Sequence, residues 1–203
     1  MPIRVSHPGA RGASLIFREE SLPGVFTLEI EPAVDERGLF ARTYSAAEFA
    51  ERGIAFTIAQ ASVSFNACRG TLRGMHLQVP PHEESKLIRC VAGSVFDVVV
   101  DLRAGSPTQL RWFGLELDAT QRNALYVPAG FAHGFLTLEA DTELEYLIST
   151  PYEPSAAAGV RWDDPAVGID WPNQPVVISD RDAAFLDLDP ALIRDRGPAA
   201  LVS

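Results

Sequence analysis

The sequence predicts an all-β fold, a jelly roll or related double-sheet barrel with a few short helices. Three observations carry that expectation. Short β-rich runs recur at close spacing through the middle of the chain. Between them 15 glycines and 15 prolines are scattered as punctuation. Helical patterning is scarce, with no strand-helix alternation that would build a parallel sheet. Repeats, low-complexity tracts and long linkers are absent, so the 203 residues read as one domain. Its barrel core spans roughly 25–150, and a C-terminal segment, 151–203, packs on it.

The elements follow in order. A first helix begins at Ser45, whose hydroxyl caps it while Glu48 completes a capping box, and it stops at Gly53. A strand is predicted within 71–79. From Ser85 to Arg103 two β-rich runs meet at Ala92-Gly93, which predicts a hairpin turn. In the second run Phe96, Val98, Val100 and Leu102 share one face, and Asp97 and Asp101 the other. Further strands are predicted within 110–118, 123–131, 132–140 and 142–150, and a second short helix at Ser179. A barrel of this size can enclose a ligand, so a polar side chain at an apolar parity is a candidate for chemistry.

At 47% hydrophobic the chain has ample material for a core, yet no run of about 18 apolar residues is present for a membrane span. The N-terminal segment lacks the apolar stretch of a secretory signal, so a cytoplasmic protein is expected. Cys68 and Cys90 are too few for a disulfide framework and lack metal-ligand spacing; both are expected as free thiols. A formal net charge of −10 repels polyphosphate, which argues against nucleic acid and anionic membranes as partners. A small anionic ligand would therefore need a local cluster of basic residues.

Several polar residues break the apolar pattern. In 142–148 the glutamates at 143 and 145 mark the solvent face and put Tyr146 inside with Leu144 and Ile148. An inward tyrosine serves either chemistry or structure, with its hydroxyl given to a backbone carbonyl. Of four histidines, His7 and His82 lie in polar or loop segments and read as solvated. His76 and His133 lie among apolar neighbours, as core histidines or as catalysts. A metal centre is poorly served, because there is no His-x-His pair and His76 with Glu83 or Glu84 and distant His133 is a scattered set. Asp182 fits the capping pattern that starts at Ser179, and Lys86 fits an edge-strand lysine; both have readings that need no function.

Taken together, the segments resemble the dTDP-4-dehydrorhamnose 3,5-epimerase family over roughly residues 15–190. The landmarks occur in order: Asp35-Glu36-Arg37-Gly38, Gly70-Thr71-Leu72-Arg73-Gly74-Met75-His76, Lys86-Leu87, Val95-Phe96-Asp97-Val98, Val127-Pro128-Ala129-Gly130-Phe131-Ala132-His133-Gly134-Phe135 and Gly168-Ile169-Asp170-Trp171-Pro172. The resemblance implies a cupin-type double-stranded jelly roll, a homodimer, a nucleoside-diphosphate keto-sugar substrate, and neither cofactor nor metal. It also implies roles. His76 matches the catalytic base, Asp182 the carboxylate that orients it, and Tyr146 the acid on the opposite face. Lys86 and Arg73 match basic residues near the keto-sugar and diphosphate, Arg37 a nucleotide contact, and His133 with Asp97 further pocket residues.

The chemistry explains these residue types. A ketone at C4 acidifies the hydrogens on C3 and C5, because removing either leaves an enolate with its charge on oxygen. Neutral imidazole is a suitable base near pH 7, worth about 10² to 10⁴ in rate when positioned. Lys86 would meet the developing oxyanion. Inversion needs a proton returned from the other side of the ring, hence a second group facing the base. Metal is unnecessary because the ketone is already the electron sink. Arg37, Arg42, Arg73 and Lys86 supply the basic cluster that an anionic ligand requires. Arg73 and His76 are three residues apart, so both reach one pocket only if the strand bulges, for which Gly74 is the obvious site.

The chain departs from the family pattern where a glutamate is usual and Arg42 stands, and where an asparagine is usual and Ser62 stands, near Gln60. These positions belong to the nucleotide end, so the epimerase chemistry is better specified than the base. The segment from Val79 to Ser85 also differs. Competing readings are an enzyme that inverts only C3 or C5, a metal-dependent cupin, and a non-catalytic sugar-binding barrel.

Overall fold

The computed structural model describes residues 14–201, and His7 lies outside them. Two antiparallel sheets face one another. The first has six strands: β1 (Leu15–Glu19), β2 (Phe26–Ile30), β10 (Ala124–Val127), β7 (Lys86–Ala92), β12 (Thr142–Ile148) and β5 (Gln60–Asn66), in that spatial order. The second has five: β13 (Ala157–Gly159), β6 (Leu72–Gln78), β11 (Phe131–Thr137), β8 (Ser94–Asp101) and β9 (Trp112–Asp118). A small hairpin of β3 (Ala33–Asp35) and β4 (Gly38–Phe40) stands apart. This is the expected double-sheet jelly roll, with short helices α1 (Ala46–Ala50), α2 (Asp180–Ala183) and α3 (Pro190–Arg196) at its margins.

Three apolar layers account for the burial. Between the sheets, Ile88, Cys90, Leu125, Val127 and Leu144 meet Val95, Val99, Leu117, Phe131 and Phe135. Behind the five-stranded sheet, Met75, Leu77, Val98, Val100 and Leu102 are covered by Val160, Val167 and Ile193 of the C-terminal segment. Behind the six-stranded sheet, Leu28, Leu87, Ala124 and Tyr126 are covered by Phe49 of α1 and by Phe56. Burial on both faces explains why β8 reads as an almost continuous apolar run. The parity expected for β8 holds: Val98, Val100 and Leu102 face the outer layer, and Asp97 lies on the interior side with Val95 and Val99.

Three local expectations are corrected. Ala92-Gly93 is no hairpin, because β7 and β8 belong to opposite sheets and pair with other strands. The chain turns a barrel corner there with Gly93 at φ +70°, and a Cβ at that position would lie 2.4 Å from the Thr142 hydroxyl. Only half of the capping box forms at α1. The Ser45 hydroxyl accepts from Glu48 N–H, but the Glu48 carboxylate accepts from Leu15 N–H at 2.7 Å and pairs with Arg42, tying the helix to β1. Lys86 is no edge lysine either, since β7 lies between β10 and β12.

Candidate active site

The site is built where β6 leaves regular register with β11. His76 pairs with His133 while Arg73 pairs with Phe135, so three steps on β6 match two on β11. The surplus residue falls within Gly74-Met75. It places Arg73 and His76 on the lining of one cavity, the bulge that their spacing requires. Gly74 has φ +143°, and a Cβ there would lie 2.6 Å from Gly134 Cα, so two glycines on neighbouring strands permit the close approach.

Asp182 reaches His76 from the C-terminal segment. Ser179 caps α2 by accepting from Asp182 N–H at 3.1 Å, as its spacing predicts. The helical turn delivers the Asp182 carboxylate to the imidazole. One oxygen lies 2.7 Å from His76 Nε2, and the other accepts from Gly74 N–H at 3.2 Å. The Asp182 side chain is 6% exposed and that of His76 38%, so the carboxylate is shielded while the ring remains open to a ligand. Burial, the largest influence, raises the Asp182 pKa; the hydrogen bond and charge of His76, with Gly74 N–H and Ser179, outweigh it and hold the carboxyl below its usual value. The carboxylate therefore stays ionised and orients the ring.

The cavity beside His76 has a volume of about 330 Å³, within the range of small-molecule sites. The five-stranded sheet contributes Arg73, His76 and His133; the six-stranded sheet contributes Gln60, Ser62, Lys86 and Tyr146. His76 and Tyr146 thus line one space from opposing walls. Burial, then the charge of nearby Asp97, pushes the Tyr146 phenol well above the usual tyrosine value, against the opposing charge of Arg73. The phenol therefore keeps its proton at neutral pH.

His133 and Asp97 form a second, fully buried pair. His133 Nε2 lies 2.9 Å and 3.0 Å from the two carboxylate oxygens, and its ring meets Tyr146 edge-on with centroids 5.9 Å apart. His133 borders the cavity, while Asp97 supports it from behind. Lys86 Nζ contacts the Glu84 carboxylate at 2.9 Å and the His76 carbonyl at 3.4 Å. Arg73 donates from Nε to Asn66 Oδ1 at 2.8 Å and lies on the cavity rim.

Arg37 and Arg42 are not brought into this cavity. Arg37 pairs with Asp35 on the exposed β3–β4 hairpin, and Arg42 pairs with Glu48 at 2.7 Å. The cation that completes the basic lining is Arg181, next to Asp182 on α2. Sequence reasoning passed over it because one helical turn, rather than a strand parity, sets its direction. Glu84, weighed in the sequence only as a metal ligand, and Tyr152, which was not singled out, also line the cavity. Glu84 stands two residues before Lys86, the same-face spacing of an extended chain, and that signal was available.

Among the described residues no three His, Cys, Asp or Glu side chains are grouped as a metal ion would require, and no helix is long and apolar enough to cross a membrane.

The dTDP-4-dehydrorhamnose 3,5-epimerase family matches residues 19–189. A dTDP-4-dehydrorhamnose 3,5-epimerase of Sinorhizobium fredii is 39% identical over 171 residues, covering 84% of this chain and 88% of the relative. A dTDP-4-dehydrorhamnose 3-epimerase of Streptomyces niveus is 41% identical over 181 residues, covering 89% and 86%. The crystal structure of NovW, a 4-keto-6-deoxy sugar epimerase from the novobiocin biosynthetic gene cluster of Streptomyces spheroides, superposes with a TM-score of 0.83 at 39% identity and covers 95% of each chain. The fold, the ordered landmarks and these matches agree, and the chain belongs to the dTDP-4-dehydrorhamnose 3,5-epimerase family.

Proposed function

We propose that this chain inverts C3 and C5 of a dTDP-4-keto-6-deoxyhexose by proton abstraction and reprotonation from the opposite face. The observation that carries the reading is the placement of the His76–Asp182 pair and Tyr146 on facing walls of one cavity. With the hexose between them, neutral His76 takes the proton from C3 or C5, and the electrons of that C–H bond pass to the C4 oxygen. Lys86 donates to the resulting oxyanion, and Asp182 stabilises the imidazolium. Tyr146 then gives its phenolic proton to the other face of the same carbon. Imidazolium and phenolate return to their starting states by exchange with solvent, so no proton is gained or lost overall. The residues perform this without a metal or an organic cofactor.

Arg73 and Arg181 in the cavity lining are the candidates for the diphosphate, and Gln60 and Ser62, which share that lining, are candidates for the nucleotide end. The expected nucleotide roles of Arg37 and Arg42 rest on the family resemblance. A homodimer is part of the reading: β1 is a sheet edge, and the β3–β4 hairpin carries Val34 and Phe40, 69% and 75% exposed. The free thiols of Cys68 and Cys90 suit the reducing cytoplasm.

The similarity to a 3-epimerase favours a narrower second reading, inversion at C3 alone. NMR of dTDP-4-keto-6-deoxyglucose in deuterium oxide separates the two. Deuterium at C3 and C5 supports double inversion, deuterium at C3 alone supports the narrower reading, and no uptake contradicts both. Light scattering on the same sample is expected to give twice the chain mass of 22.0 kDa, and a monomer would contradict the dimer.

A further inference from the structure

We propose that Glu84 is a positioning residue for the reaction, aiming the Lys86 ammonium at the C4 oxygen of the sugar. The inference rests on the epimerase reading above. An ammonium group has three donors in tetrahedral arrangement and turns freely about its last bond unless its partners stop it. In this structure Glu84 Oε1 takes one donor at 2.9 Å, and the His76 carbonyl, at 3.4 Å, takes a second. These are the polar partners of Lys86 among the described residues, so one N–H is left for a ligand. Two fixed donors determine where the third points.

Burial makes the pairing consequential. The side chains of Lys86 and Glu84 are 10% and 9% exposed, and both border the cavity that holds His76 and Tyr146. A lone ammonium at that depth would be poorly solvated, and the adjacent carboxylate offsets the cost of holding it there. The contact with the His76 carbonyl also ties the lysine to the strand that carries the base. Donor and base then keep a fixed relation: the proton leaves toward His76 while negative charge appears at an oxygen facing Lys86. Glu84 itself touches neither reacting carbon in this scheme. It acts through Lys86.

The residue is otherwise unexplained. It lies in the loop between β6 and β7, outside both sheets, and among the described residues its ion pair is with Lys86 alone. A carboxylate facing a cavity meant for a diphosphate sugar would oppose binding by its charge, and pairing with Lys86 cancels that field locally.

The experiment compares wild type, Glu84→Ala and Glu84→Gln with dTDP-4-keto-6-deoxyglucose in deuterium oxide. It reads kcat, KM, affinity for dTDP and the unfolding midpoint. Glutamine retains an oxygen that accepts from the ammonium; alanine retains nothing. Glu84→Ala is expected to lower kcat by at least about tenfold, short of the roughly 10²–10³-fold lost when an oxyanion donor is removed outright. Glu84→Ala is expected to lower the unfolding midpoint as well, because the buried ammonium loses its counter-charge, while dTDP binding is not weakened. Glu84→Gln also lacks the charge and keeps a lowered midpoint, yet it recovers kcat to within a few-fold. Wild-type kcat in Glu84→Ala would overturn the proposal, as would equal losses in both variants. Loss of dTDP affinity in step with kcat, or a kcat that follows the unfolding midpoint across the two variants, would also overturn it, by making the role structural. Failure of the wild type to exchange deuterium at all would instead contradict the epimerase reading.

Discussion

Asp182 shows how one side chain is read twice. Its spacing from Ser179 is that of a capping motif, and the cap forms, yet the same turn sets its carboxylate 2.7 Å from His76. Its folded pKa lies below the unfolded value, so its contribution to stability is complete above the unfolded pKa and is lost as pH falls through the folded one. Asp182→Asn removes that contribution. The variant is expected to lose less stability than wild type as pH falls below about 4, and to lose at least about 10²-fold in kcat near neutrality because the imidazolium has no counter-charge. Denaturant titrations at several pH values and steady-state rates check both. Parity alone gave Tyr146 its inward direction, and the glutamates on either side made that legible. The role proposed for Asp182 was not legible from capping chemistry, which is satisfied whether or not a histidine is near; it came from the family resemblance.

The bulge in β6 decides the site at the scale of elements. Arg73 and His76 share a cavity because one surplus residue lies between them, and Gly74 and Gly134 let the strands approach. Gly74→Ala puts a Cβ 2.6 Å from Gly134 Cα at a φ of +143°. It is expected to cost more than about 2 kcal/mol and to abolish turnover, since the strand must shift His76 or Arg73 to relieve the contact. Urea unfolding and rate measurements report the two effects; an unaltered unfolding midpoint would contradict the packing argument. The bulge was legible because two polar residues at a spacing of three demand one. The corner at Gly93 was not, because a glycine between two β-rich runs serves equally as a hairpin turn or a change of sheet, and only the distant partners β10, β11 and β12 distinguish them. Glu48 is similar: its local partner was expected, and a strand 33 residues away took its place.

Closure of the whole barrel is what permits the proposed two-sided chemistry. His76 on one sheet and Tyr146 on the other line a cavity that neither sheet forms alone, and in a chain whose net charge of −10 opposes anions that cavity gathers Arg73, Lys86 and Arg181. The sequence showed the fold class and the strands but not which cations would be neighbours. Arg42 and Arg37 stand near acids close in the chain, whereas Arg181 comes from the far end. The central claim is that base and acid occupy opposite faces of one sugar ring, and Tyr146→Phe tests it most directly in deuterium oxide. With His76 and Asp182 intact, the variant is predicted to exchange substrate hydrogen for deuterium while forming little or no inverted product. Inversion at the wild-type rate would contradict the opposed arrangement.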